Sequence, residues 1–528
     1  MADASDAGEW RDPGAGGSLS PAEGEQVGDR RPPAELVGVA AADVTEPTSD
    51  GEVKADSKPP AKPRVVPHFT VGERAARGKA ARAEVPRSSQ AGIEFPTLRD
   101  PIGLLEEQAV SRVAELVPIR YGRMLASPFA FYRGGALIMA SDLSATPRSG
   151  LMVQACGDAH LSNFGVFASA ERSLVFDIND FDETLPGPWE WDLKRLVASL
   201  VVAGRDRGFS AKERTTVVLE TAAAYRGEMQ TLAGLPELDV WYRRFDADRL
   251  LKALGPQVTA KMAKRTKKVL AKARTQDSLT AFSKLTRLVD GEPRIVSNPP
   301  VIVPIRELLP GDDGDAVFER LHELLRSYRR SLQVDRRHLL EQFRVVDVAR
   351  KAVGVGSVGT RAWIVLFAGR DESDPLFLQA KEAQPSVLER FVHKSGYANN
   401  GERVVAGQHL MQATSDIFLG WDRMPGIDDG VQRDFYLRQL KDWKGSLDPD
   451  SIGPVGMAAY GRVCGWTLAR AHARSGDRIA LASYLGTSPA FDRAIASFAE
   501  AYADQNQRDY DTFKQAVASG RITAQTGV

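Results

Sequence analysis

Cysteine is nearly missing from this chain: Cys156 and Cys464 are the only two in 528 residues. Two thiols without zinc-type spacing exclude a disulfide framework and a thiolate metal cage, and they point to a reducing setting. A surplus of charge is missing too. Lys and Arg together number 69, as do Asp and Glu, so no net basic field draws the chain to nucleic acid or an anionic membrane. Apolar runs are short; the stretch 196–203 (LVASLVVA) is far below the length needed to span a bilayer. The opening MADASDAGEW has neither the basic nor the apolar part of a secretory leader. These absences leave a cytoplasmic protein, with no nucleic acid and no membrane as partner, as the expectation.

What is there is uneven. Residues 1–92 are rich in Gly, Pro, Ala and charge, with runs such as KPPAKPR and no sustained apolar period. Such composition buries too little surface to offset chain entropy, and a disordered tail is expected. Its Arg/Lys cluster at 74–82 reads as solvated. Order is expected to begin near Phe95, with helical patterns at 104–116 and the dense run RMLASPFAFYRGGALIM. From Leu151 short apolar runs bounded by Gly, Asp and Asn predict strands and tight loops. Leu193, Leu196, Val197, Leu200 and Val201 then follow the helical rule. Helices are expected to continue to about Arg344, with looser connections at 290–304. A second strand zone spans 345 to about 440, and helical periodicity returns from 457 to 517.

The first chemical constellation is QACGDAHLSNFGVF followed by SLVFDINDFDE. Asp158 and Asn163 are five apart, and Asp177 ends the apolar run that follows. Phosphoryl transfer needs this kit: a carboxylate to take the acceptor proton, and hard oxygen ligands for Mg²⁺. The bland alternative is a set of acid-rich turns. The segment Gly157-Asp158-Ala159-His160-Leu161-Ser162-Asn163 resembles the Gly-Asp-x-His-x-x-Asn loop of the aminoglycoside phosphotransferases in the protein-kinase-like superfamily. That resemblance implies Asp158 as catalytic base, Asn163 as a metal ligand and Asp177 as the main metal ligand, with Asp180 and Asp182 competing for the last role. It implies a loop-bracing His160. Cys156 stands where that family commonly has a His. Asp192, opening the next helix in WDL, is implied to brace the loop; helix capping is the plain alternative.

The second constellation is the glycine run Gly354-Val-Gly356-Ser357-Val-Gly359, between apolar segments. A lone GxGxxG is weak, and its flanks decide the type. TRAWIVLF after it has strand character, which favours a phosphate-covering hairpin over a dinucleotide fingerprint. Lys381 ends the strand-like LFLQAKEA, with Gln379 on the same face. In a kinase such a lysine grips nucleotide phosphates and pairs with a helix glutamate; Glu389 is the expected partner, ahead of Glu382 and Glu402.

These groups follow the catalytic loop by about 200 residues, the reverse of kinase order. The stretch LARAHARSGD, ending at Asp477, resembles the helix that leads into a phosphotransferase loop. Five residues beyond Asp477 stands Ala482, which ligates no metal, so the loop itself is expected on the N-terminal side. Circular permutation is tolerable where old termini lie close together. The whole pattern, from FYRGGALIMA through VGVGSVGTR and QAKEA to ARAHARSGD, resembles the bacterial domain-of-unknown-function 2252 family over about residues 95–520.

The expectation is therefore an α+β, protein-kinase-like two-lobed fold in permuted order, with a small β-rich lobe (345–445) and a larger helical lobe (93–344 and 446–528). The expected function is ATP- and Mg²⁺-dependent phosphotransfer to an unknown small-molecule or protein hydroxyl acceptor, with Asp158, Lys381 and Glu389 catalytic. Gly354, Gly356, Ser357, Gly359 and Lys381 would bind nucleotide, and Asn163, Asp177 and Asp180 metal. Transfer of AMP from the same site, or a non-catalytic nucleotide-binding scaffold, are the alternatives. Arg133 reads as packing or bracing ahead of anion binding, and the basic amphipathic stretch 261–274 as a solvated face ahead of a holder for an acidic or phosphorylated acceptor.

Overall fold

The computed structural model describes residues 68–253, 260–308, 323, 325–352, 354–356, 358–371, 373–425, 430–446 and 448–527. Its strands are β1 (Met152–Ala155), β2 (Phe164–Ala168), β3 (Leu174–Ile178), β4 (Leu185–Pro188), β5 (Thr286–Val289), β6 (Glu292–Ile295) and β7 (Ile302–Pro304). They continue with β8 (Arg344–Lys351), β9 (Ala362–Ala368), β10 (Pro375–Glu382), β11 (Gly420–Pro425), β12 (Gln432–Gln439) and β13 (Gly445–Ser446). Helices make up most of the remainder, so the chain is mixed α+β. Among the described residues no helix is long and apolar enough to cross a membrane.

The main sheet has the order β11-β12-β10-β9-β8-β7, and each neighbouring pair is antiparallel. Strand alternation sorts β10 between two cores. Leu376, Leu378 and Ala380 join Val348, Val365 and Leu437 on one side, while Phe377 joins Ile364, Leu366 and Ala281 on the other. Gln379 and Lys381 continue the Phe377 face, as the sequence pattern predicted. Lys381 is therefore carried into the interior by the strand itself.

The second layer is a helical body. Trp189–Asp206 is buried along nearly its whole length and packs with Ala211–Ala233 and Ala490–Ala518. The helix Pro454–Ser475 packs chiefly on Ala211–Ala233, and its end abuts β1: the Gln154 N–H donates to Ser475 Oγ at 3.2 Å. A Cβ on Gly476 would lie 2.6 Å from Val153 Cγ1, so only glycine allows this approach. The small sheet β13-β2-β3 joins the segment after β12 to this body.

Two sequence expectations give way. Order begins well before Phe95, with a helix at Val71–Glu84 whose Thr70 and Glu73 form a reciprocal capping box. Gly78 lets it press onto the helix Arg478–Leu485, where a Cβ would sit 2.1 Å from Ala480 O. Arg74 pairs with Asp477 at 2.9 Å, so part of the basic cluster is docked. Its partner lies 403 residues away, beyond any local pattern. The stretch 286–304 forms β5, β6 and β7 in place of loose connections. Of the expected tail, residues 1–67 lie outside the described residues. Residues 67–528 form one compact unit, which takes in the segments 93–344, 345–445 and 446–528.

Candidate functional site

The loop after β1 is fixed from beneath. Gly157 adopts φ +80°, and a Cβ there would lie 2.4 Å from Glu183 O. The backbone N–H groups of Cys156 and Gly157 donate to the Asp192 carboxylate at 2.7 and 2.9 Å. Asp192 also meets His472 Nε2 at 3.1 Å, and His472 Nδ1 meets the Tyr225 hydroxyl at 2.8 Å. Cys156, Asp192, His472 and Tyr225 are buried, and charge-assisted bonds in such surroundings are strong. Asp192 thus braces the loop.

Asp158 projects from that loop with its side chain one-fifth exposed. Arg195 Nε donates to Asp158 Oδ1 at 2.8 Å, and the same guanidinium lies over the Tyr132 ring. Burial raises the Asp158 carboxyl above its ordinary range, against the pull of Arg195 and Arg133. His160 accepts from the Ser162 N–H through Nδ1 at 3.2 Å, and its Nε2 stands 3.8 Å from Asp158 Oδ2. Burial pushes this imidazole well below the usual histidine value, helped by Arg195 and Arg133, so it is a neutral brace. Asn163 donates its amide N–H to Asp158 O at 2.8 Å, so only its Oδ1 could serve a metal.

The three downstream aspartates separate. Asp177 faces inward, where Arg470 donates to its Oδ1 at 2.5 Å and the Ala413 N–H to its Oδ2 at 3.2 Å. Both carboxylate oxygens are committed to the helical body. Asp180 and Asp182 occupy the turn after β3 and meet Lys381. Lys381 Nζ is 2.7 Å from Asp182 Oδ2 and 3.9 Å from Asp180 Oδ2; the Tyr436 hydroxyl donates to Asp182 Oδ1 at 2.6 Å. Burial pulls the Lys381 ammonium down, but Asp180 and Asp182 outweigh it and hold the value high. For Asp182 burial is outweighed in turn by Lys381, and the carboxyl sits below its ordinary value. Asp180 is raised by burial and by Asp182.

Glu389 does not reach Lys381. It closes a capping box on the short 3-10 turn Val387–Arg390, accepting from the Ser386 N–H at 3.2 Å. A strong local cap holds it there, and the partners of Lys381 come from the Asp180–Asp182 turn. Glu382 pairs with Arg361 and lies near Arg433, and Glu402 opens the helix Asn400–Met411.

The glycine segment joins β8 to β9, which pair antiparallel. Gly354 and Gly359 adopt φ +68° and +91°, where a side chain would be strained. The turn folds onto the helical body: Arg123 donates to Gly354 O at 2.6 Å and the Val113 N–H to Gly359 O at 2.8 Å. A Cβ on Gly356 would lie 3.4 Å from Arg133 O. Arg133 in turn interacts electrostatically with Asp158 and Asp180, and its Nε is buried without a hydrogen-bond partner. One arginine therefore touches the glycine turn with its backbone and faces the acidic turns with its charge. Ser357 lies outside the described residues.

A family profile described as an uncharacterized protein conserved in bacteria (DUF2252) matches residues 112–516. The chain belongs to this family. No curated protein and no solved structure matches it. The DUF2252 span includes every residue of the cluster, from Arg133 to His472, but not the docked helix Val71–Glu84.

Sequence reasoning on this DUF2252 chain missed Arg195, Tyr436 and Arg438. Arg195 had a legible signal, since it stands three residues after Asp192 and shares its helix face. Tyr436 and Arg438 had none, because they face Lys381 only through the register of β12 on β10, where Lys381 lies opposite Tyr436.

Proposed function

We propose that this chain is an ATP- and Mg²⁺-dependent phosphotransferase with a protein-kinase-like, two-lobed and circularly permuted architecture. The carrying observation is the meeting of Lys381 with Asp182 and Asp180, 199 residues apart for the closer pair, beside a loop that presents Asp158 and Asn163. The approach of Ser475 and Gly476 to β1 supports the permutation, since joining them there would give the helix–strand–loop order of an ordinary kinase.

Among the described residues no three His, Cys, Asp or Glu side chains are grouped to hold a metal ion alone. Mg²⁺ does not require this, because it is usually bound by one or two carboxylates together with substrate phosphates and water. The oxygens of Asp180 and Asn163, with Asp182 beside them, fit that donor set, whereas Asp177 does not. Bound there, Mg²⁺ would neutralise charge developing on phosphate oxygens.

The residues of the chain would then divide the work. Asp158, oriented by Arg195, takes the proton of the acceptor hydroxyl as its oxygen bonds to the γ-phosphorus, and the bond from that phosphorus to the ADP oxygen breaks. Lys381 would exchange its bond to Asp182 for the phosphate oxygens. Gly354, Gly356 and Gly359 give a turn whose backbone can approach those phosphates without side-chain collision.

The test is phosphate transfer from γ-labelled ATP across an acceptor panel, with Asp158→Ala losing about 10²–10⁴-fold in rate and retaining nucleotide binding. Equal activity in that variant rejects the mechanism, and label transferred from α-labelled ATP instead indicates AMP transfer. A non-catalytic nucleotide-binding scaffold is the second reading, favoured by the existing neutralisation of Lys381 by Asp182. Tight ATP binding without turnover on any acceptor would support it.

A further inference from the structure

Beside the Asp180–Lys381 cluster lies a small cavity whose lining includes Asn179, Gln408, Asp416, Arg438, Asp442 and Lys444. It sits between the helix Asn400–Met411 and the segment leading from β12 to β13. Arg438 connects it to the cluster, donating to Asn179 O at 3.0 Å and feeling both Asp180 and Asp182.

The two carboxylates on the wall are already satisfied. Asp416 accepts from the Gln439 N–H at 2.7 Å, the Phe418 N–H at 2.8 Å and Gln439 Nε2 at 3.2 Å. Asp442 accepts from Arg172 at 2.7 Å and from Gln439 Nε2 at 3.4 Å. The cations keep unmet donors, although Tyr436, Asp180, Asp182 and Asp416 hold the charge of Arg438 in place. Arg438 Nε is buried without a partner, and Lys444, with three N–H donors, makes one long bond to Gln439 O at 3.3 Å. Burial and the neighbouring Arg438 pull the Lys444 ammonium down to about 7 against the opposing pull of Asp416 and Asp442, the behaviour of an incompletely balanced cation. Gln408 is 4% exposed. Its Nε2 donates to Gln412 Oε1 at 3.0 Å, while its own Oε1 is buried with no donor.

Unmet donors on two cations and one unmet acceptor make a specific demand. A carboxylate would satisfy the cations and leave Gln408 orphaned. A phosphate group carrying one proton satisfies both, since it offers several acceptor oxygens and one P–OH donor. Leaving a buried polar group unpaired is costly, so a ligand that closes all three gaps has a clear advantage.

We propose that this cavity binds a protonated phosphate group, with Arg438 and Lys444 donating to its oxygens and Gln408 accepting from its P–OH. The site concerns binding alone and does not depend on the transferase reading. Two sources share this chemistry, the nucleotide and a separate phosphorylated compound.

Titration calorimetry of the full chain with inorganic phosphate, in chloride buffer near neutral pH, tests the proposal. Saturable one-to-one binding is expected. Lys444→Met and Arg438→Gln should each weaken it about tenfold or more, equal to about 1.4 kcal/mol. Lys267→Gln, on the exposed face of the basic helix Ala260–Arg274, should leave it unchanged. Gln408→Leu alters no charge and should also weaken binding, which keeps the test sound if a charge variant fails to fold. Repeating the titration with saturating ATP separates the sources: competition assigns the subsite to the nucleotide's own phosphates, and independent binding assigns it to a second phosphorylated compound. The proposal is overturned if the wild-type chain gives no saturable binding, if the cavity variants bind as tightly as wild type, or if Lys267→Gln weakens binding as much as they do.

Discussion

Buried Lys381 and partly exposed Asp182 form an ion pair of 2.7 Å between the end of β10 and the turn after β3. It fastens the six-stranded sheet to the acidic turns. Phosphates entering there would meet a lysine already held at the site, at the cost of breaking its bond to Asp182.

This pairing predicts strong coupling. Lys381→Met leaves the partly exposed Asp180 and Asp182 without their cation and should lower stability by about 1–3 kcal/mol. Adding Asp182→Asn should recover part of that loss, with an interaction energy on the order of 1–3 kcal/mol in a denaturant double-mutant cycle. Nucleotide binding should remain lost in the double variant. Simple additivity would show that the two residues act apart.

Asp177 and Asp180 should respond oppositely to the same change. Asp177→Asn strands Arg470, which is fully buried, and should cost about 3–5 kcal/mol. Asp180→Asn removes a partly exposed carboxylate 3.9 Å from its nearest cation, so its melting should shift by less than about 1 kcal/mol. Mg²⁺-dependent nucleotide binding should vanish in the Asp180 variant. If Mg²⁺ dependence instead survives Asp180→Asn and is lost in a folded Asp177 variant, the metal assignment reverts to Asp177.

Lys194 predicts a pH signature. It is fully buried, with Nζ 3.3 Å from Thr146 Oγ1 and 4.7 Å from the Phe498 ring centre. Burial, opposed by Glu190, lowers its value from 10.5 to about 8. Between about 8 and 10.5 the unfolded chain holds a proton that the folded chain has released, so stability from this group rises with pH across that window and levels off above it. The span is on the order of 3 kcal/mol. Melting of wild type against Lys194→Met from pH 7.5 to 10.5 should show the difference shrinking as pH rises. A constant difference would mean that Lys194 stays charged in the fold.

Much of the site was legible because its pieces are local. The Gly157–Asn163 loop, the glycine hairpin between two strands and the lysine ending β10 each declare themselves within about ten residues, through turn chemistry and alternation. The helix at 189–206 shows itself in the spacing of Leu193, Leu196, Val197 and Leu200. The strands at 286–304 escaped notice because each is only three or four residues long and interrupted by polar turns.

The sequence alone determined which chemistry-bearing residues exist and the type of element that carries each, since backbone preference and side-chain periodicity act over a few residues. Only the tertiary structure decided how the aspartates divide. Asp177 is neutralised by Arg470 from 293 residues away, Asp182 by Lys381 from 199 residues away, and Asp158 by Arg195 across a helix packing. A carboxylate's role follows from the cation placed against it, and in this chain the assembly of sheet and helices makes that placement.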